Sequence, residues 1–193
     1  MKIEKNLLFP TLVFRQFNIE SEQNLIKINK FCDDLSYGQT VYHLQNLPLF
    51  TNLSKKILDT AKIWMEEFDY EYNSLKITNI WCNKLQKGKY HKPHTHPNNF
   101  LSGVYYPNSS ETKIVFMDPR VQNKVFIPTR KKLTYLNSPD WLFPIEKNTM
   151  IMFPSWLSHY VGTIDKDRVS ISFNIMINGD VGKSENFDNS FIN

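Results

Sequence analysis

The chain has 193 residues, of which 41% are hydrophobic, 14% aromatic and 22% charged, and its formal net charge is +4. These values are typical of a globular protein with one substantial core, and the length predicts a single domain. The charge is too small to indicate nucleic-acid binding. No apolar run approaches the roughly 20 residues of a transmembrane helix, and no signal peptide is recognisable, so we expect a cytoplasmic protein with no membrane partner. Cys32 and Cys82 are expected to be buried, reduced thiols.

Residues 1–74 are predicted to be a helical support region. A short strand over 7–14 should lie at a sheet edge, because Pro10 cannot donate to a ladder. Ser21 is a suitable N-cap for a helix that ends at Gly38, and a second helix begins near residue 52. Each helix carries an apolar stripe at helical spacing, formed by Leu25, Ile28, Phe31, Cys32 and Leu35 in the first and by Leu53, Ile57, Ala61, Trp64 and Phe68 in the second. Both stripes indicate packing against a sheet.

Residues 75–178 are predicted to be the β-rich core. Strands are predicted over 75–85, 100–106, 113–117, 150–153, 159–161 and 168–177, with a turn at 145–148, an irregular stretch at 118–139 and a polar C-terminal tail at 179–193. Short strands joined by turns are typical of a sandwich or barrel. The predicted fold class is mostly β with flanking helices, arranged as a double-stranded β-helix, or jelly roll.

A histidine cluster is the strongest functional signal. Three of the five histidines lie within residues 91–96, which read HKPHTH. In an extended segment side chains alternate between faces, so His94 and His96 should point the same way and His91 the other. Two imidazoles on one face form a metal-ligand pair that needs a third partner, and His159 is the candidate. These residues can converge only if the sheet folds back on itself, as in a double-stranded β-helix.

These motifs resemble the iron(II)- and 2-oxoglutarate (2OG)-dependent oxygenases, in particular the prolyl-4-hydroxylase-like branch and a group of small predicted oxygenases of bacteria and phages. The resemblance covers 75–178 but not the helical first third. Four features carry it: residues 88–96, where the branch has a Gly turn and His-x-Asp; Tyr106 within 104–108; His159; and Arg168, nine residues after His159.

The resemblance implies Fe(II) as the metal, with 2OG and O2 as cosubstrates. Arg168 would pair with the far carboxylate of 2OG, and Tyr106 would also contact it. Ser172 shares a strand face with Arg168 and could add a hydroxyl partner. Asn83, on the strand before the histidine cluster, and Asn174, on the Arg168 face, are further candidates for the cosubstrate site. The alternative for Arg168 is a surface ion pair with Asp165 or Asp167, and for Tyr106 it is core packing.

The chain departs from the branch at His96, which stands where an aspartate is usual. The metal would then bind three neutral imidazoles, which suit iron. Asp118 is an alternative source of a carboxylate, and a third possibility leaves His96 off the metal. His91 is expected next to the site or in contact with substrate. Asp118 and Arg120 could also contact substrate, or form a local salt bridge.

The leading hypothesis is an oxygenase that decarboxylates 2OG and hydroxylates a C–H bond of a substrate that the sequence does not identify. A second hypothesis is a cupin-type dioxygenase with three-histidine iron and no 2OG, since Gly88 and the following His-x-His fit the first cupin motif. Against it, residues 97–103 contain no acid, and Arg168 would have no role. A third hypothesis is a non-catalytic β-helix that binds a partner and keeps a vestigial metal site.

Overall fold

The computed structural model describes residues 2–40, 43–120, 125–182 and 190–192. Its two α-helices are α1 (Glu22–Asp33) and α2 (Thr51–Glu67). The strands of the described residues are β1 (Phe14–Phe17), β2 (Gly38–Gln39), β3 (Ser74–Leu85), β4 (His91–His94), β5 (Leu101–Tyr106), β6 (Ser110–Met117), β7 (Asp140–Ile145), β8 (Thr149–Pro154), β9 (His159–Val161), β10 (Arg168–Val181) and β11 (Ser190–Ile192). Within this part of the chain, neither helix has both the length and the apolar character needed to cross a membrane.

The strands form two antiparallel sheets. The larger sheet has the order β1-β8-β5-β10-β3-β2, with β11 paired to β10, and the smaller sheet has the order β4-β9-β6-β7. Most neighbouring strands in each sheet are not consecutive in the chain, because the chain passes repeatedly from one sheet to the other. The predicted double-stranded β-helix is confirmed.

Two hydrophobic cores follow from the period-two alternation of the strands. On β10, Ile171 and Phe173 face α1 and α2 and join the core between the helices and the larger sheet. A second core lies between the two sheets, where Val104 of the larger sheet meets Phe116 and Val161 of the smaller one. The polar residues of β10 alternate with its apolar ones and therefore face the space between the sheets, where the predicted site lies.

The helices begin where the sequence predicts. Ser21 is the N-cap of α1, and its hydroxyl oxygen accepts a hydrogen bond from the backbone N–H of Asn24 at 3.3 Å. The first helix ends at Asp33 rather than near Gly38, which instead begins β2 with a φ of +113°. That conformation suits glycine, which has no Cβ to clash, so Gly38 belongs to the turn into the strand.

The strands differ from the prediction in three places. The edge strand predicted over 7–14 is instead β1 (Phe14–Phe17), which pairs with β8. The strand β7 was not predicted; it contains Pro144 and lies at the edge of the smaller sheet, where a missing N–H is tolerated. The polar tail is partly β-structure, because β10 continues to Val181 and pairs with β11. Residues 121–124 of the predicted irregular stretch, and 183–189 and 193 of the tail, lie outside the described residues.

Gly103 in β5 lies where the larger sheet is tightly packed on its helix-facing side. A substitution at this position therefore tests the packing. A Cβ at Gly103 would lie 2.6 Å from the backbone oxygen of Ile151 and would overlap the ring of Phe173. We expect Gly103→Ala to lower the free energy of unfolding by about 1–3 kcal/mol or more, measured by urea denaturation. Gly162→Ala is the matched control, because its Cβ would have nothing within 4 Å and should change stability by less than about 0.5 kcal/mol. Equal stability of the two variants would contradict this packing.

Candidate metal centre and cosubstrate pocket

Three histidine side chains converge at one end of the smaller sheet. His94 on β4 pairs in register with His159 on β9, and His96 follows β4, held by a 2.9 Å hydrogen bond from its N–H to the carbonyl of Ser155. Each histidine offers one ligand nitrogen, and these three nitrogens all lie within 4.8 Å of one another. The three ring centroids are 4.4 to 5.2 Å apart. This arrangement can offer three nitrogen ligands to a single ion.

Backbone carbonyls orient two of these rings. His94 Nδ1 donates to the carbonyl of Lys92 at 2.7 Å, and His159 Nδ1 donates to that of Leu157 at 3.0 Å. Because a carbonyl only accepts, each Nδ1 carries a proton, and in the neutral imidazole the lone pair is then on Nε2. The Nε2 atoms of His96 and His159 are 3.4 Å apart. That distance is less than twice a metal–nitrogen bond of about 2.1 Å, so both atoms can reach the same ion.

The environment keeps the imidazoles of His96 and His159 neutral. Burial lowers the pKa of His159 to about 3 and that of His96 to about 4, and the neighbouring histidines add to both shifts. His159 is enclosed by aromatic rings, with centroids 4.6 Å away at Phe153 and 5.8 Å away at Phe116. A neutral imidazole is the form that binds a metal, so the site needs no deprotonation step at these two residues.

A buried cation lines the same cavity of about 430 Å³. Arg168 is 5% exposed, and its Nη2 donates to Ser170 Oγ at 3.3 Å. In the described residues its Nε and Nη1 have no hydrogen-bond acceptor and the guanidinium has no carboxylate partner. Asp167, the predicted alternative partner, accepts instead from the hydroxyl of Tyr37 and the N–H of Lys87. A buried cation with unpaired donors is costly, so the pocket is suited to an anion.

Tyr106 adds a further donor to this pocket. Its hydroxyl is buried and lacks a partner within the described part of the chain, and the guanidinium carbon of Arg168 lies 5.4 Å from its ring centroid. Burial raises the pKa of Tyr106, although the Arg168 charge opposes the shift. The phenol therefore stays protonated and can donate to a bound carboxylate.

Of the other predicted cosubstrate residues, two line the cavity and one does not. Asn83 Nδ2 donates to Ser172 Oγ at 3.0 Å, and both residues lie in the cavity wall. Asn174 is not one of the residues that line the cavity, contrary to the prediction. It lies on the expected strand, but its Oδ1 accepts a hydrogen bond of 2.7 Å from Ser102, which also contacts Ser155. This buried polar chain takes up the side chain of Asn174.

His91 lines the cavity beside the other histidines, although strict alternation predicted the opposite direction. The register between β4 and β9 shifts between His91 and His94, a stretch that contains Pro93. A register shift of this kind interrupts the alternation, so the side chains of His91 and His94, on either side of it, can face the same cavity. Burial, and then the charge of Arg168, lower the pKa of His91 to about 4, so its imidazole is neutral.

Asp118 and Arg120 form a local salt bridge. The bridge is bidentate, with both nitrogen–oxygen distances at 2.9 Å, and neither residue is among those that line the cavity. The one group of possible metal ligands found in the described residues contains the three histidines and not Asp118. The predicted carboxylate from Asp118 is therefore not supplied, because Arg120 already pairs with it.

Sequence reasoning also missed part of the cavity wall. Ser170 accepts from Arg168, and its position on the same strand face was a usable signal. Tyr90 and Lys92 line the cavity and are exposed to solvent, and we call the side that they form its mouth. Gln39 reaches the cavity from β2. No sequence pattern indicated these three, because their places depend on how the segment before His94 and the short strand β2 fold over the sheets.

Comparison with known families identifies the chain. Residues 79–174, about half of it, match the model of a family described as "Putative 2OG-Fe(II) oxygenase". The chain belongs to this 2OG-Fe(II) oxygenase family. The matched segment contains all three histidines of the candidate metal centre and Arg168. The family acts with iron(II) and 2OG, as the resemblance implied. No match was found among the sequences of curated proteins.

Solved structures share the fold of this oxygenase at low sequence identity. A prolyl-4-hydroxylase from Pseudomonas putida is 8% identical, with a TM-score of 0.62 over 86% of this chain and 85% of that chain. HygX from Streptomyces hygroscopicus, with nickel and 2OG bound, is 10% identical, with a TM-score of 0.61 over 86% and 82%. The viral collagen prolyl hydroxylase vCPH from Paramecium Bursaria Chlorella virus-1 is 11% identical, with a TM-score of 0.57 over 91% and 98%.

Proposed function

We propose that this oxygenase binds Fe(II) through His94, His96 and His159 and hydroxylates a C–H bond of a substrate that enters the same cavity. Arg168 and Tyr106 bind the far carboxylate of 2OG, and Ser172 and Asn83 complete that pocket. The observation that carries the proposal is the presence, in one cavity, of three convergent imidazoles and a buried guanidinium, two of whose nitrogens have no acceptor among the described residues.

The three imidazoles fit an iron(II) ion. The bonds from Nδ1 of His94 and His159 to backbone carbonyls hold both rings with Nε2 free to bind. His96 occupies the position of the usual aspartate and brings a nitrogen instead of a carboxylate. Imidazole is a suitable ligand for iron, and the ligand set as a whole is uncharged.

The Arg168 pocket fits the dianion. A guanidinium binds a carboxylate through two parallel N–H donors, and Nε and Nη1 of Arg168 lack an acceptor within the described residues. The protonated hydroxyl of Tyr106 supplies a further donor to the same group. A carboxylate bound here would neutralise the buried charge of Arg168, which favours binding over the empty pocket.

When bound, iron(II) and 2OG supply the oxidative chemistry, in which one atom of O2 enters succinate with release of CO2 and the other enters the C–H bond of the substrate. The residues of the chain hold these groups and limit access of water. Phe153, Ile114 and Val161 contribute apolar surface to the cavity that the histidines and Arg168 share. The neutral imidazole of His91 lies in the same wall and adds no charge next to the guanidinium.

We further propose that the oxygenase is cytoplasmic. Cys32 and Cys82 are buried free thiols with their Sγ atoms 3.8 Å apart. A reducing compartment keeps such a neighbouring pair unbonded, which supports this location.

Anaerobic binding of iron(II) and 2OG tests the proposal directly. We expect a visible charge-transfer band when 2OG is added to the Fe(II)-loaded protein, because the band requires 2OG to bind the metal itself. His96→Asp restores the usual ligand type and should retain the band. The cupin-type alternative predicts no response to 2OG. If the folded wild-type protein gives no band, the proposed function is wrong.

A further inference from the structure

The mouth of the cavity carries a cation that the proposed chemistry does not use. Lys92 lies on β4 between His91 and His94, it is exposed, and it lines the cavity. Among the described residues no carboxylate lies within salt-bridge distance of its ammonium group. Its own carbonyl accepts the hydrogen bond from His94 Nδ1, so the backbone of Lys92 is held in place next to the metal centre.

The wall of this cavity has no acidic side chain in the described part of the chain. Its members are apolar, aromatic, amide, hydroxyl, imidazole or cationic groups, and the two cations are Arg168 and Lys92. Asp118 and Asp167 are not among the lining residues: Asp118 pairs with Arg120, and the carboxylate of Asp167 accepts from Tyr37 and Lys87. The described wall of the cavity therefore offers a ligand positive charge and no carboxylate.

The three histidine ligands of the metal increase the excess of positive charge in the cavity. With His96 in the position of the usual aspartate, the protein contributes no negative charge to the metal. Iron(II), Arg168 and Lys92 together carry four positive charges and 2OG carries two negative ones, so the loaded site keeps a net charge of about +2. Arg168 lies against the cosubstrate, so Lys92 is the cation left at the entrance. Charge complementarity across a partly enclosed site selects partners of opposite sign.

We propose that the primary substrate of this oxygenase presents an anionic group, a carboxylate or a phosphate, to the ammonium of Lys92 at the cavity mouth. This inference rests on the proposed function, because it takes the rest of the cavity to be filled by the metal and 2OG. Tyr90, which is 54% exposed and also lines the mouth, offers an aromatic surface beside that contact. The anionic group would orient the substrate at the entrance while the carbon to be hydroxylated points towards the histidines.

The test uses acetate, acetamide and inorganic phosphate as probes. Acetate and acetamide have nearly the same shape and differ in charge. The full-length protein is loaded anaerobically with Fe(II) and 2OG, and loading is verified by the charge-transfer band. Binding near the paramagnetic iron is then read from the broadening of the NMR signals of each probe, which needs no turnover. We expect acetate, phosphate or both to bind at least about tenfold more tightly than acetamide.

Two variants decide whether Lys92 is responsible. Lys92→Gln removes the charge but keeps the carbonyl that holds His94, and it should weaken binding of the anion about tenfold. Lys89→Gln is the matched control, because Lys89 is an exposed lysine of the same segment that is not among the residues lining the cavity. It should leave binding unchanged.

Each outcome has one interpretation. Preference for acetate or for phosphate identifies which anionic group the substrate carries. The inference is overturned if neither acetate nor phosphate binds more tightly than acetamide. It is also overturned if anion binding is the same in Lys92→Gln as in the wild type. If the charge-transfer band is missing at the loading step, the proposed function itself has failed, whereas a normal band without anion preference refutes only the anionic substrate.

Discussion

His94→Ala is expected to lower the affinity for iron(II) by at least about 100-fold and to abolish the charge-transfer band with 2OG. The variant removes one of three nitrogens that lie within 4.8 Å of each other. His94 is the exposed member of the group, so its loss should leave the hydrophobic cores intact. Anaerobic titration with Fe(II), followed by addition of 2OG, measures both effects, and circular dichroism checks the fold.

His43→Asn is the matched control for the metal centre. His43 is exposed and lies outside the cavity, where its Nδ1 is 3.4 Å from Nε2 of Gln45. Its φ is +80°, a conformation that asparagine tolerates better than alanine. This variant also loses one imidazole but should bind Fe(II) like the wild type. Equal iron affinities of His94→Ala and the wild type would show that His94 is not a ligand.

Arg168→Met is expected to weaken binding of 2OG by about 100-fold or more, because it removes the charge-assisted donors to the far carboxylate. In the absence of 2OG, the free energy of unfolding of this variant should equal or exceed that of the wild type. Arg168 is buried, and its Nε and Nη1 have no acceptor within the described residues. Burying a charged group without partners lowers the stability of the folded state, and an apolar side chain of similar length avoids this cost.

Two measurements together distinguish this role from a purely structural one. The rise in melting temperature on addition of 2OG to the Fe(II)-loaded protein reports binding, and urea denaturation of the metal-free protein reports stability. Arg120→Met is the control, because it removes a half-exposed arginine that pairs with Asp118. The control should keep the response to 2OG. A large loss of stability in Arg168→Met, or an unchanged response to 2OG, would contradict the assignment.

The fold was predicted where the signal is local. The N-cap at Ser21 and the apolar stripe of α2 follow from hydrogen-bonding capacity and helical spacing, and both occur in the structure. The alternation of β10 correctly separated Ile171 and Phe173, which face the helices, from Arg168. The strand β7 was not predicted. It contains Pro144, which a strand tolerates where no N–H is needed, and its place at a sheet edge is set by the pairing with β6.

The sequence predicted which residue types form the site more successfully than it predicted where their side chains point. His94, His96, His159 and Arg168 were identified from residue type and spacing, and they share one cavity. The direction of His91 was wrong because the irregularity in β4 interrupts the alternation on which it was based. Such irregularities depend on the pairing with β9, about 70 residues further along the chain, and not on the residues of β4 alone.

The sequence by itself determined which groups are available for chemistry and on which face of each strand they lie, because side-chain type and period-two alternation are local properties. Only the tertiary structure decided which of these groups meet. It directs Asn174 to Ser102, and it brings Lys92 to the mouth of the cavity. These outcomes depend on strand register and on contacts between residues distant in the chain, which a one-dimensional pattern does not encode.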